Sequence, residues 1–310
     1  MSKLICTPFA FETEMNTGVN IGQKEKALET YFQNASVALV SAKHYNPECD
    51  VAFVTNLQTE QIPRKYQSLF SDNGVEIIHV PFDCFRFPKD MLWSLAFYKL
   101  CVMKHLCECE YDAVCYMDTD VYIQGSFDAI WKECEENILL YDINHGLNTR
   151  DYVALCDEIE KYSGGGYGLL THYGGEFFAA NKERMIEFSK ACEGIFDRMI
   201  SKSFRTTKGD EFILSIAART LRGQVKNASP YVYRFWTGAG FRLVSTCYQY
   251  NRIIVLHVPA EKEKGMKKLY ERYIHKGIVP ADRVVWKTLR LKNQPFIDRM
   301  IPIIKRILRK

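Results

Sequence analysis

Residues 116–123, Y-M-D-T-D-V-Y-I, set two carboxylates one residue apart inside an apolar and aromatic run. Side chains at i and i+2 of an extended segment face the same way, so Asp118 and Asp120 can converge on one object while Thr119 turns away. At the end of a strand, an object that suits two carboxylates is a hydrated divalent cation with all-oxygen ligation. The fifteen Asp of the chain give roughly 0.7 Asp-x-Asp pairs by composition alone, so specificity must come from the surroundings of the pair. A second acidic group, Gly209-Asp210-Glu211, precedes an apolar helical run, where acids serve as caps or meet a substrate. His257 closes the last apolar stretch.

The elements that must position these groups follow from periodicity. Residues 4–11 predict a strand, 24–43 a helix, 50–56 a β-branched strand, and 61–70 a short helix after Pro63. Residues 74–81 predict a third strand, 93–107 a third helix, and 113–117 a fourth strand that delivers the chain to Asp118. This alternation is the pattern of a parallel sheet with crossover helices, in which ligands sit beyond the carboxyl ends of the strands. The second half is less regular. It holds a Gly-rich loop at 163–168, a turn into a strand at 173–181, an amphipathic helix around 182–199, the block 208–218 and a strand at 252–258. No repeat or linker divides the chain, so residues 1–282 are expected as one α/β domain and 283–310 as a basic, helical, amphipathic tail.

Helix, strand and Y-M-D-T-D-V-Y-I together resemble the nucleotide-diphospho-sugar glycosyltransferases of the GT-A fold, above all the retaining family-8 type, whose strand ends in a Leu-Asp-x-Asp version of the motif. The similarity spans most of residues 3–268 as an order of elements. It implies a Rossmann-like mixed sheet flanked by helices, with Asp118 and Asp120 holding a divalent metal, Mn²⁺ or Mg²⁺, on the donor diphosphate. Breaking a sugar-to-diphosphate bond loads charge onto the leaving group, and a cation there stabilises it without proton transfer. The resemblance carries the third metal ligand to His257 and the phosphate-binding lysine to Lys264. The stretch H-V-P-A-E-K-E-K-G departs from the pattern, since a glycine is missing, Trp does not follow and the lysine is one residue late; Lys262 therefore competes with Lys264. Lys99 resembles the basic residue used near the donor phosphates, and Thr7 and Phe9 stand where related enzymes hold the uracil base.

For Asp210 and Glu211 two resemblances apply. Family-8 enzymes have an Asp-Gln here, near the anomeric carbon, while retaining family-6 galactosyltransferases have an Asp-Glu, with an aromatic-Gly-Gly upstream that residues 173–178 resemble. These imply that Asp210 holds donor sugar hydroxyls and that Glu211 stabilises or attacks the anomeric centre, with Glu176 a second candidate for that work or for acceptor contact. Both types retain configuration. The implied reaction is metal-dependent, retaining transfer of a hexose from a UDP-sugar to a glycan or lipid-linked glycan.

Composition is that of a globular chain: 310 residues, 47% hydrophobic and 25% charged. Residues 283–310 carry nine Lys or Arg against one acid, a net +8, so with +4 overall the remainder is −4. With apolar residues at helical spacing from Phe296 to Ile307, that tail suits peripheral contact with an anionic membrane, whereas its aromatics are not interleaved with the basic groups as nucleic-acid binding would ask. No secretory or membrane-spanning segment is read, and eleven cysteines, an odd number, suit reduced thiols, so a cytoplasmic protein, peripheral at the inner membrane face, is expected. The cluster Cys101, Cys107, Cys109 and Cys115 lacks a CxxC pair and is expected as buried packing. Two rival readings are a haloacid-dehalogenase-like phosphatase with Asp118 as nucleophile, disfavoured by Tyr122 where that motif needs Thr or Val, and a non-catalytic nucleotide-sugar-binding protein.

Overall fold

A computed structural model of the chain describes residues 2–12, 26–88, 90–144, 146–165, 168–221, 223–237, 250, 252–291, 300 and 304. Four strands, β1 (Lys3–Phe9), β2 (Asp50–Thr55), β3 (Glu76–His79) and β4 (Ala113–Met117), lie parallel in the order β3-β2-β1-β4. Next to β4 comes the antiparallel strand β7 (Tyr173–Asn181), then β6 (Ile138–Asp142) and β8 (Val225–Asn227), making a mixed sheet of seven. A second sheet of three joins β5 (Val121–Ile123), β10 (Val255–His257) and β9 (Val232–Arg234) in that order.

Period-two alternation decides which side chains enter which core. Ile5 and Phe9 of β1, with Cys115 and Met117 of β4, pack with Phe32, Ala35 and Leu39 of α1 (Ala27–Tyr45), Tyr66 and Phe70 of α2 (Arg64–Asp72) and Ile130 of α4 (Asp128–Cys134). Leu4, Cys6, Val114 and Tyr116 face the other way, onto α3 (Tyr98–Leu106), α6 (Lys182–Ser201) and α7 (Asp210–Thr220). Both faces of the sheet are therefore covered, which is why these strands read as near-continuous apolar runs.

The four parallel strands fall where the periodicity places them. The expected helix at 93–107 starts instead as a 3₁₀ turn, Ser94–Phe97, behind Trp93 with φ 62°, and becomes α-helical at Tyr98. The expected strand at 252–258 is ordered as a strand only over β10. Strands β5, β8 and β9, three residues each, are too short to show alternation, and the helix α5 (Arg150–Ser163) falls in a stretch the pattern assigns to no element.

The expected boundary after residue 282 falls inside a helix, Asp282–Thr288, whose Val285 is buried, with Leu289 and Leu291, in the core on the α1 side. Trp286 Nε1 there donates to Gln124 Oε1 at 2.7 Å. Most of 292–310, where the amphipathic tail is expected, lies outside the described residues, as do residues 166 and 167 of the Gly-rich loop. Among the described residues, no helix is long and apolar enough to cross a membrane.

Candidate active site

The chain leaves β4 at Met117, turns through Asp118-Thr119-Asp120 and enters β5 at Val121. The pair thus sits where one sheet hands over to the other. β10 pairs antiparallel with β5 so that His257 stands opposite Val121, and Val258 N–H donates to the Asp120 carbonyl at 3.0 Å. That register brings His257 Nε2 to 3.2 Å from Asp120 Oδ2 and 4.0 Å from Asp118 Oδ2. Convergence therefore comes from the turn and the cross-strand pairing rather than from alternation along a strand.

Asp120, in the turn beyond the strand end, has no exposed surface, so bulk water does not solvate its charge. Among the described residues neither carboxylate oxygen of Asp120 has a hydrogen-bond partner, although Oδ2 stands within ion-pair range of His257 and Lys262. Orphaned buried acceptors of this kind are costly and mark a place for a cation. One ligand atom from each of Asp118, Asp120 and His257 lies within 4.8 Å of the others, a spread that one ion can span. Two carboxylates and an imidazole fit a divalent metal.

Cations of the protein ring this centre. Lys262 Nζ lies 3.3 Å from Asp120 Oδ2, and Asp120 keeps its carboxyl well below the usual range, because Lys262 and His257 outweigh its burial. Burial works against charge on His257, yet Asp120 and Glu176 prevail and lift its pKa to about 9. Lys262 is the lysine that reaches the carboxylates, whereas Lys264, the lysine the resemblance indicated, is exposed. On the other side Lys99 Nζ meets Asp118 Oδ1 at 3.3 Å, Asp210 Oδ2 at 2.9 Å and the Gly175 carbonyl at 2.8 Å. Burial lifts the Asp210 carboxyl to about 6 against the opposing pull of Lys99. A Cβ on Gly175 would collide with the Asp210 carboxylate and stand 2.6 Å from Lys99 Nζ, so this approach needs glycine. Gly209, with φ +60° at the start of α7, sets the entry of Asp210 and Glu211 into the helix.

A second carboxylate layer joins the two sheets. Glu176 of β7 takes both Nε and Nη2 of Arg234 on β9 at 2.7 Å each, and its Oε1 stands 3.4 Å from His257 Nδ1. Parallel pairing sets Arg234 beside His257. Glu211 shares a 2.9 Å hydrogen bond with His172 and lies 3.8 Å from Arg234 Nη2. Thr7 and Phe9 end β1, just past its last paired position with β4, Cys6 opposite Tyr116. Among the described residues the Thr7 hydroxyl is buried without a partner, while Phe9 is packed against Tyr31 and Phe53 at centroid distances of 5.1 and 5.9 Å.

Comparison with solved structures decides the fold. The galactosyltransferase LgtC in complex with donor and acceptor sugar analogues superposes with a TM-score of 0.52 at 14% identity, over 96% of this chain and 99% of that one. An active-site mutant of LgtC gives 0.52 at 14% over 82% and 86%, and mouse xyloside xylosyltransferase 1 in its apo form gives 0.51 at 10% over 83% and 97%. The fold is that of the GT-A glycosyltransferases. No protein-family model and no curated protein matches the sequence. At such identities the GT-A likeness speaks for the backbone alone, so the case for chemistry rests on the side chains. Sequence reasoning passed over two of these. Arg234 became a neighbour of His257 only through β9–β10 pairing, and His172 sits before β7 with no motif around it; in neither case does local sequence carry a signal.

Proposed function

We propose that the protein is a metal-dependent glycosyltransferase that moves a hexose from a UDP-sugar to a glycan or lipid-linked glycan with retention at the anomeric carbon. The observation that carries this reading is the convergence of Asp118, Asp120 and His257 at the carboxyl end of β4 in a GT-A fold, with the buried carboxylate oxygens of Asp120 lacking hydrogen-bond partners among the described residues. These three residues would hold the divalent ion, which when bound offsets the charge developing on the departing diphosphate. Lys262 adds a positive charge on the same side. Lys99 fixes the spacing of Asp118 and Asp210, and Asp210 is assigned to the donor sugar hydroxyls.

Between the two glutamates, geometry favours Glu211 for the anomeric centre. Both oxygens of Glu176 are engaged by Arg234 and its side chain is 1% exposed, whereas Glu211 is 24% exposed and keeps Oε1 3.8 Å from the guanidinium. Glu176 then serves to hold Arg234 and His257. Titration calorimetry of UDP with and without Mn²⁺ tests the reading: wild type binds UDP only with the metal, and Asp120→Ala weakens that binding about 100-fold. Binding indifferent to both metal and substitution removes the proposal, and hydrolysis of a simple phosphate ester by a protein that ignores UDP puts the phosphatase in its place. If UDP and metal bind but no donor is turned over with any acceptor, the chain is a binding protein.

A further inference from the structure

A second group of metal-ligating side chains lies away from the Asp118 centre. Cys101 and His105 stand four residues apart on α3, hence on one face of that helix. The loop after β3 brings Asp83 and Cys84 against them. Cys84 and Cys101 approach to 3.1 Å between sulfurs, Asp83 Oδ1 lies 2.9 Å from His105 Nε2 and 3.5 Å from Cys101 Sγ, and the four ligand atoms all fall within 4.8 Å of one another. The loop that supplies Asp83 and Cys84 is anchored on either side by buried Val80, Phe82, Phe85 and Phe87. Its turn is held at Phe85, φ 55°, whose ring packs on Phe196 at 5.2 Å.

Hydrogen bonds in this cluster compete. Cys84 Sγ donates to Cys101 Sγ, whose own single hydrogen faces both the Pro81 carbonyl at 3.3 Å and the Asp83 carboxylate at 3.5 Å. Asp83 Oδ1 is shared by His105 and Cys101. A cation among these atoms would satisfy all of them at once. Tetrahedral zinc, with bonds of about 2.3 Å to sulfur and about 2.0–2.1 Å to nitrogen or oxygen, needs ligand edges of about 3.3–3.8 Å. The 3.5 Å edge already meets this, and the 2.9 and 3.1 Å edges need to open by about 0.4–0.7 Å.

We propose that Asp83, Cys84, Cys101 and His105 form a zinc site that ties the loop after β3 to α3. Two thiols release their protons to solvent, and the imidazole binds neutral through Nε2, so the thiolates and the carboxylate compensate the ion. The ligand set is closed, with four protein atoms and no open position, so its role is structural. Lys99 lies two residues before Cys101, on the opposite face of α3. The zinc would therefore fix from behind the helix that presents Lys99 to Asp118 and Asp210.

Cobalt supplies a readout specific to sulfur. Reduced, metal-free full-length protein is titrated with Co²⁺ and its absorbance recorded. One equivalent is expected to give a thiolate-to-cobalt charge-transfer band in the near ultraviolet with intense visible bands of tetrahedral cobalt, and Zn²⁺ is expected to bleach both. Asp120→Ala keeps these signals, because the other centre has no sulfur, while Cys84→Ser and Asp83→Ala, both on the partly exposed loop, lose or shift them. The same Zn²⁺ addition raises the thermal midpoint of Asp120→Ala, in which the other centre is broken, and leaves that of the double variant Asp120→Ala with Cys84→Ser unchanged. Absence of the charge-transfer band in reduced wild type overturns the proposal. So does its full survival in Cys84→Ser, or a Cys84–Cys101 disulfide, found by alkylation and mass spectrometry, in a protein whose reduced form takes up no cobalt.

Discussion

His257 illustrates how one residue couples charge to ligand. Its pKa of about 9 in the metal-free protein means that the ring is protonated at neutral pH, and a metal needs it neutral. The sign follows: below pH 9 each unit of acidification costs metal affinity roughly tenfold, because a proton must leave before the ion binds. Mn²⁺ affinity measured by calorimetry from pH 6.5 to 8.5 should therefore climb about tenfold per unit. His257→Gln should bind more weakly and show a flatter slope; a flat wild-type profile would mean that His257 is not a ligand. Lys99 gives a second test. It is the shared cation of two acids, one of them, Asp210, with a side chain 5% exposed. Lys99→Met strands that carboxylate and should cost about 3 kcal/mol in urea unfolding. Lys99→Met with Asp210→Asn should cost less than the sum of the single changes by about 1–3 kcal/mol, and strict additivity would show the pair to be uncoupled. Single residues were legible to different degrees. Asp118 and Asp120 stood out as charges in apolar surroundings, whereas roles for Asp210 and His257 came only with the family resemblance. Between Lys262 and Lys264 the sequence left the matter open, since the turn of the chain from Val258 to Lys262 decides which lysine reaches Asp120.

Elements explain why those residues meet. β4 was readable because five apolar residues on a central strand, flanked by a helix and an acidic turn, allow little else. β9 and β10 were not readable as partners, because strands of three residues carry too little pattern, and what pairs them is tertiary. β7 lies between these cases. Its Y-G-G-E start was legible as a turn into a strand, but the reason for the glycines appears only when Lys99 and Asp210 are seen pressed against Gly175. Gly175→Ala should displace that ion pair and lower UDP-sugar turnover by at least about tenfold, the scale on which small misplacements act in active sites. Because β7 is central, far-ultraviolet circular dichroism should stay native, so that a loss of turnover reports on the site and not on the fold. Unchanged turnover in Gly175→Ala would show that the backbone has room to give.

At the scale of the molecule, the site is a joint between two sheets. Asp118, Glu176 and Lys99 belong to the seven-stranded sheet and its helix layer, while Arg234 and His257 come from the three-stranded sheet, with Asp120 in the turn that leads into it. Glu176 to Arg234 and to His257, and Asp118 to His257, are among the contacts that cross. The parallel half of this plan could be read from periodicity, because each strand and helix there is long enough to declare itself. The joint could not, because it depends on pairings between segments more than a hundred residues apart, as with His257 and Val121. A ligand that grips both sides of such a joint binds the folded chain and not the unfolded one, so it stabilises the whole by about 2.7 kcal/mol at a hundredfold excess over Kd. For a chain of this size that corresponds to a rise of roughly 5 °C in thermal midpoint. With UDP and Mn²⁺ together the midpoint should rise by that amount, with UDP and a chelator it should not, and Asp120→Ala should show no rise in either case. A full shift from UDP in the presence of chelator would place the nucleotide on protein groups alone, and the acids at the joint would then need another explanation than holding the ion.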